Sequence, residues 1–251
     1  MPPLENNHPA PAKPSAIIEW RDGQPYASTF QDVYFSTDNG LQETDYVFLQ
    51  SNQLPARWQL LNTPTFTITE TGFGTGLNFL CAAKLWLETA PEHAVLNFIS
   101  VEKYPLSLQE ISTALQLWPE LSALSTALLD QYAALTDAQT ISLYHHKVQL
   151  SLLIGDATEQ LSHIQHKTDA WFLDGFAPSK NPEMWQPALF AQMARLSHPA
   201  TTFATFTSAG IVRRGLTAAG FQVNKKPGFG KKREMIYGHV AGTGTKNNDV
   251  S

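Results

Sequence analysis

Three glycines at alternate positions, Gly72, Gly74 and Gly76, punctuate the run Thr67-Ile68-Thr69-Glu70-Thr71-Gly72-Phe73-Gly74-Thr75-Gly76-Leu77-Asn78. A β-rich run enters them and a helical pattern leaves, so the backbone can turn tightly and approach a ligand with no Cβ in the way. This reads as a nucleotide-cofactor loop, with Phe73, Thr75 and Asn78 as further candidate contacts. The spacing is G-x-G-x-G, not the G-x-G-x-x-G of dinucleotide sites, where the helix N-terminus serves a pyrophosphate. S-adenosyl-L-methionine (SAM) has no phosphate, and Glu70, two positions before the first glycine, suits its ammonium group. SAM is therefore favoured, with NAD as the alternative.

Three more acids end apolar runs. Glu102, in Phe98-Ile99-Ser100-Val101-Glu102-Lys103, can accept hydrogen bonds from both ribose hydroxyls of either nucleotide, with Lys103 beside it. Asp156, in Gly155-Asp156-Ala157, can accept the adenine amino group, cap the following helix, or do both. Asp174 stands in Trp171-Phe172-Leu173-Asp174-Gly175-Phe176-Ala177-Pro178, beside the crevice where open α/β sheets bind ligands. It is the candidate catalytic residue. An amine nucleophile needs its lone pair aimed at a methyl donor, and a carboxylate accepting its N–H groups orients it and can take the proton. The plainer reading of Asp174 is a turn former ahead of Gly175. Elsewhere His163 and His166, His145 and His146 lack a ligand set for metal, no G-x-S-x-G elbow holds up a serine, and Cys81 reads as a small core residue.

The elements that must position these residues follow from periodicity. Apolar β-rich runs at Phe66 to Thr69, Leu96 to Val101, Val148 to Ile154, Ala170 to Leu173, Thr202 to Phe206, Phe221 to Val223 and Met235 to Val240 alternate with helical patterns. That alternation predicts βα units and a mostly parallel, seven-stranded sheet in a Rossmann-like α/β fold. The last two runs are too close for a crossover helix, so the final strand is expected to be antiparallel. Leu77, Leu80, Cys81 and Leu85 mark one helix, and Ser107 with Glu110 a capping box ahead of Ile111, Leu115 and Trp118. Leu189, Phe190, Met193 and Leu196 mark another, and Ile211, Val212 and Leu216 precede Gly220, a C′ residue. Residues 17–60 read as an N-terminal extension: a hairpin from Ile17 through Arg21-Asp22-Gly23, then a helix and aromatic-bearing loop from Gly40 to Trp58, closed by Pro55, that suits a lid. Residues 1–16 and 241–251 read as tails or linkers around a 17–240 domain.

Composition bounds the rest. With 251 residues, 43% apolar and 16% charged, the chain has enough apolar surface for a buried core. One cysteine excludes a disulfide scaffold, and the start lacks a signal peptide's basic and apolar regions, so a cytoplasmic protein without membrane attachment is expected. Net charge is −5, yet residues 201–240 hold Arg213, Arg214, Lys225, Lys226, Lys231, Lys232 and Arg233 against only Glu234, a net of +6. This is either a solvated basic surface or a phosphate footprint.

Taken together, ETGFGTGLNFL (70–80), ISVEKYPL (99–106), GDA (155–157), DAWFLDGFAPSKNPEMW (169–185), TFATFTSAGIVRRGL (202–216) and GFGKKREM (228–235) closely resemble the methyltransferase domain of the MnmC family. DVYFS (32–36), GLQETDYVFL (40–49) and LPARW (54–58) extend the resemblance to residues 17–240. It implies a class I SAM methyltransferase acting on the exocyclic amine of 5-aminomethyl-2-thiouridine at the tRNA wobble position. It places Glu70, Gly72, Gly74 and Gly76 in the SAM loop, Glu102 and Asp156 on the nucleoside, and Asp174 beside the amine. Many family members carry an FAD oxidase domain after this one; no FAD is expected in this chain, and such an oxidase would act before it as a partner. The basic residues Arg213, Arg214, Lys231, Lys232 and Arg233 would then grip an anticodon stem-loop, with affinity falling steeply with salt. Tyr34, Phe35, Phe176 and Trp185 are candidates to stack on the extruded base, with Pro178 and Lys180 alongside. The rivals are a methyltransferase for another small amine, an NAD-linked dehydrogenase, and a non-catalytic tRNA-binding module.

Overall fold

The computed structural model describes residues 18–21, 24–28, 30–34, 40–137 and 139–242. The expected N-terminal tail, Ile17, the Asp22-Gly23 turn, Phe35 and residues 243–251 lie outside these. Strands β1 (Ile18–Arg21), β2 (Gln24–Ala27) and β3 (Asp32–Val33) form a small antiparallel sheet, so the expected hairpin gains a third strand. It is tied to the main body where Ile18 N donates to Glu110 Oε1 at 3.1 Å and Ala177 N donates to Asp32 Oδ2 at 3.4 Å.

Helix α1 (Gly40–Thr44), a π-helical stretch over Asp45–Gln50 and helix α2 (Leu54–Gln59) come next. The second half of this segment is helix where the sequence suggests a loop. Pro55 lies in the first turn of α2, where its missing N–H breaks no helical bond. Val47, Phe48, Leu49, Leu54 and Trp58 are buried, and Phe48 stacks on Phe172 with ring centroids 5.0 Å apart. These side chains belong to the core.

In chain order there follow β4 (Thr65–Thr71), α3 (Leu77–Thr89), β5 (Val95–Glu102), α4 (Leu108–Leu115), α5 (Ser122–Asp130), α6 (Tyr132–Thr136), β6 (Ile141–Leu143), β7 (Val148–Ile154), α7 (Ala157–Ser162), β8 (Thr168–Leu173), α8 (Pro187–Leu196), β9 (Ser197–Thr205), α9 (Gly210–Ala218), β10 (Phe221–Pro227) and β11 (Glu234–Val240). The main sheet runs β10-β11-β9-β8-β4-β5-β7-β6. Strands β9, β8, β4, β5 and β7 are parallel, and β11 inserts antiparallel between β9 and β10, as the short connection requires. Seven strands stand where the apolar runs put them. The eighth, β6, is a three-residue edge strand antiparallel to β7, too short for alternation to reveal.

Successive side chains of β8 point to opposite faces. Ala170 and Phe172 join the apolar cluster that packs α2 to α6, and Trp171 and Leu173 join the one that packs α7 to α9. The expected capping box opens α4: Ser107 Oγ accepts from Glu110 N at 3.3 Å, and Glu110 Oε2 accepts from Ser107 N at 2.8 Å. On α9, Val212 and Leu216 are buried but Ile211 faces solvent. Gly220 follows that helix with φ +96°. Strand β4 lies between β5 and β8, and the chain builds outward from it in both directions, so the loops part at its carboxyl end and leave a crevice.

Candidate active site

The carboxyl ends of β4, β5, β7 and β8 frame a cavity of about 420 Å³. Its wall takes Gly72, Phe73, Gly74, Thr75 and Asn78 after β4, Glu102 and Lys103 at β5, and Asp156 and Ala157 after β7. Asp174 and Phe176 complete it after β8, with Tyr34 and Lys232 from more distant segments. Most of the residues singled out from the sequence therefore meet in one place.

Gly72 has φ +82°, and a Cβ there would come within 3.1 Å of Gly175 Cα. Only glycine lets the loop after β4 lie directly on the turn after β8. The Gly74 N–H donates to Glu102 Oε2 at 3.0 Å, and Tyr104 N donates to Oε1 at 2.9 Å. Burial pushes the Glu102 carboxyl above its ordinary pKa, and these backbone donors pull it back. Each oxygen keeps a further lone pair for a ligand hydroxyl. Asp156 caps α7, its Oδ1 accepting from Thr158 N at 3.0 Å and Glu159 N at 3.2 Å, and it also faces the cavity.

Asp174 is held on both oxygens: Oδ1 accepts from Gly175 N at 2.8 Å and Oδ2 from Asn78 Nδ2 at 2.7 Å. Burial pushes its pKa up to about 6 against the pull of these two donors; nearby Glu43 adds to the rise and Lys232 opposes it. An ionised carboxylate with a pKa close to neutrality can both orient an N–H group and accept its proton.

Several site residues stand elsewhere than the sequence suggests. Glu70, expected at the donor's ammonium, is fully buried and does not reach the cavity. It stands in β4, and Asn78 of α3 bonds to its carboxylate. There Oε1 accepts from Asn78 Nδ2 at 3.0 Å and Oε2 from Ser100 Oγ at 2.6 Å. Burial drives its pKa well above the ordinary carboxylate range. Gly76 is also off the wall, at the start of α3 with φ +77° against the Phe73 ring. Trp185 is buried and donates from Nε1 to Phe176 O at 3.1 Å; it braces the turn and presents no face for stacking. Pro178 and Lys180 lie beside the cavity without lining it.

The basic segment is divided. Arg213, Arg214, Lys231 and Arg233 are exposed, but Lys232 reaches the cavity, its Nζ 2.7 Å from Glu43 Oε1 and 4.5 Å from the Phe206 ring centroid. At the rim, Phe176 stacks on Phe30 at 4.3 Å and 18°, with Tyr34 edge-on at 5.4 Å. Phe30, Glu43 and Thr44 line the cavity without having been singled out from sequence. Phe30 lies in a turn, and α1 at five residues is too short to show periodicity; for Glu43 and Thr44 the one signal is the resembling stretch GLQETDYVFL. Among the described residues, no cluster of three or more His, Cys, Asp or Glu is arranged to hold a metal ion. The Cys81 thiol is pushed up to about 12 by burial.

Residues 119–241 match the family model described as S-adenosyl-L-methionine-dependent methyltransferase. Over 224 residues the chain is 58% identical to the tRNA 5-methylaminomethyl-2-thiouridine biosynthesis bifunctional protein MnmC of Methylobacillus flagellatus, covering 89% of this chain and 35% of that protein. Over about nine-tenths of its length the chain is thus similar to part of a protein named MnmC. The protein of the same name from Chromobacterium violaceum is 54% identical over 228 residues, covering 90% of this chain and 34% of its own length. The chain thus spans about a third of the length of the curated relatives it matches. The crystal structure of MnmC2 from Aquifex aeolicus shares the fold, with a TM-score of 0.69 at 22% identity, covering 91% of this chain and 72% of that one. The matched model is of SAM-dependent methyltransferases, and the site fits that donor: a Cβ-free approach at Gly72 and Gly74, and a braced acid at the end of β5 with lone pairs to spare. The NAD reading of the glycine loop is set aside.

Proposed function

We propose that this chain methylates the exocyclic amine of 5-aminomethyl-2-thiouridine at the wobble position of tRNA, giving 5-methylaminomethyl-2-thiouridine, in the cytoplasm. The observation that carries this reading is Asp174, fixed on both oxygens at the wall of the glycine-loop cavity, in a chain 58% identical to a protein named for that product. No helix among the described residues is long and apolar enough to cross a membrane.

In this reading the backbone from Gly72 to Thr75 holds the donor's amino-acid end, Glu102 its ribose, and Asp156 with Ala157 its adenine, with Lys103 at the edge. When bound, SAM supplies an electrophilic methyl group on a sulfonium sulphur. Asp174 accepts the amine's N–H, aims its lone pair and takes the proton released as the new N–C bond forms. Phe176 and Tyr34 offer aromatic faces and edges to the extruded base. Arg213, Arg214, Lys231 and Arg233 contact phosphates around the anticodon stem-loop, with Pro178 and Lys180 flanking the approach. An FAD-dependent oxidase, as another domain or a separate protein, supplies the aminomethyl group.

The test is to incubate the chain with hypomodified tRNA and methyl-labelled SAM and to analyse the nucleosides. Label in 5-methylaminomethyl-2-thiouridine supports the proposal. Label in a different nucleoside, or retention of tRNA with no transfer, overturns it.

A further inference from the structure

Asn78, in the first turn of α3, meets a partner with every polar group of its side chain. Its Nδ2 donates to Asp174 Oδ2 at 2.7 Å and to Glu70 Oε1 at 3.0 Å, while its Oδ1 accepts from Thr44 Oγ1 at 2.8 Å. A carboxamide is a two-hydrogen donor on one side and an acceptor on the other. Reversing it would set its oxygen against the Asp174 carboxylate, so the ionised acid selects this orientation and the Thr44 hydroxyl serves it as donor. Glu70 is anchored in turn by Ser100 Oγ at 2.6 Å and is completely buried. A continuous chain of bonds therefore runs from Ser100 in the core through Glu70 and Asn78 to Asp174 at the cavity wall. Thr44 enters it from α1, outside the Rossmann-like sheet.

The acid at the end of this chain is held from two sides. With Gly175 N on Oδ1 and Asn78 on Oδ2, rotating the Asp174 side chain breaks at least one bond. We propose that Asn78 is the positioning residue of methyl transfer, locked by Thr44 and anchored on Glu70 so that Asp174 meets the amine in a single rotamer. This rests on the assignment of Asp174 to the amine. It moves Asn78 from the donor-binding set to a role exercised through Asp174, and it gives Glu70 a bracing task beneath the cavity. Two effects follow from its removal. A carboxylate displaced by about an ångström loses on the order of 100-fold in rate. A carboxylate that loses a donor also binds its proton more tightly. The other charged or titratable groups facing Asp174 are Glu43 from α1, Lys232 from the β10–β11 connection and Glu70 from β4.

The experiment compares Asn78→Leu, Thr44→Val, Thr44→Ser and Asp174→Ala in the full chain. It measures methyl transfer to hypomodified tRNA as a function of pH and SAM binding by calorimetry. Asn78→Leu is expected to lower kcat by about 100-fold, leave SAM affinity unchanged and move the acid limb of the pH profile upward. Thr44→Val produces the same changes in weaker form, and Thr44→Ser, which keeps the hydroxyl, restores both. If Asn78→Leu fails to fold, the Thr44 pair decides. Weakened SAM binding at unchanged kcat makes Asn78 a donor ligand and overturns the proposal. So does a Thr44→Ser chain as impaired as Thr44→Val. A fully active Asp174→Ala removes the assignment of the acid itself, whereas an inactive Asp174→Ala beside a fully active Asn78→Leu removes only the positioning role.

Discussion

Strand β8 carries an aspartate near each end, and the two are handled in opposite ways. At its amino end, Asp169 is satisfied by the protein: Oδ2 accepts from Thr67 N at 2.7 Å and Oδ1 pairs with His198 Nε2 at 2.9 Å. The Arg57 guanidinium closes the same region, donating to Asp169 O at 3.0 Å and Thr202 Oγ1 at 2.7 Å. Just past the carboxyl end, Asp174 is bonded as well, yet it lines a cavity and burial raises its pKa to about 6. Bond count alone does not mark a working acid. What separates the two is their surroundings: Asp169 is half-buried beside His198 and away from the cavity, whereas Asp174 lines the space over the glycine loop.

Breaking the comparison at its functional end should have the largest effect. Asp174→Ala is expected to reduce methyl transfer by about 10³-fold with SAM affinity unchanged, read by steady-state kinetics beside calorimetry; near-normal turnover would make the two aspartates equivalent. Glu102, also backbone-bound but open to the cavity, should behave as a ligand residue. Loss of its charged hydrogen bonds to the donor, at about 1.5–3 kcal/mol, weakens SAM binding by roughly 10- to 100-fold, and unchanged affinity would remove it from the donor site. Asp169→Ala should act on stability alone. It leaves Thr67 N and His198 without their acceptor, lowering unfolding free energy by about 1–3 kcal/mol in denaturant melts while kcat holds.

The last effect concerns pH. Asp174 has its folded pKa raised from 3.8 to about 6, so between these values the native state binds more protons than the unfolded chain. Its contribution to stability is then most favourable below about pH 4 and declines as pH rises through 6. Asp174→Asn lacks this decline and should melt higher than the parent at neutral pH but not in acid. A parent advantage at neutral pH would mean that ionised Asp174 stabilises the fold.

The framework of the site was legible in the sequence because its strands and helices are periodic. The runs leading to Glu102, Asp156 and Asp174 are apolar enough to mark buried strands, and a sheet topology with its switch at β4 gathers their carboxyl ends without further information. The spacing of Gly72, Gly74 and Gly76 reports backbone geometry directly, which is why the loop was readable as a nucleotide site. Side-chain direction was less accessible. Glu70 and Asp174 are both acids near strand ends, but Glu70 lies within the paired length of β4 and Asp174 one residue beyond the end of β8. Phe30 from a turn, and Glu43 and Thr44 from the five-residue α1, reach the wall through tertiary packing, and Trp185 is turned inward by its bond to Phe176 O. Neither arrangement leaves a mark in local sequence pattern.

The central claim is that the donor lies over the glycine loop with its reacting end toward Asp174. A crystal structure of the full chain with S-adenosylhomocysteine tests it most directly. The account predicts ribose hydroxyls on the Glu102 carboxylate, the homocysteine along Gly72 to Thr75, and the sulphur on the Asp174 side of the cavity. A ligand bound with its sulphur turned away from Asp174, or seated outside this cavity, contradicts it.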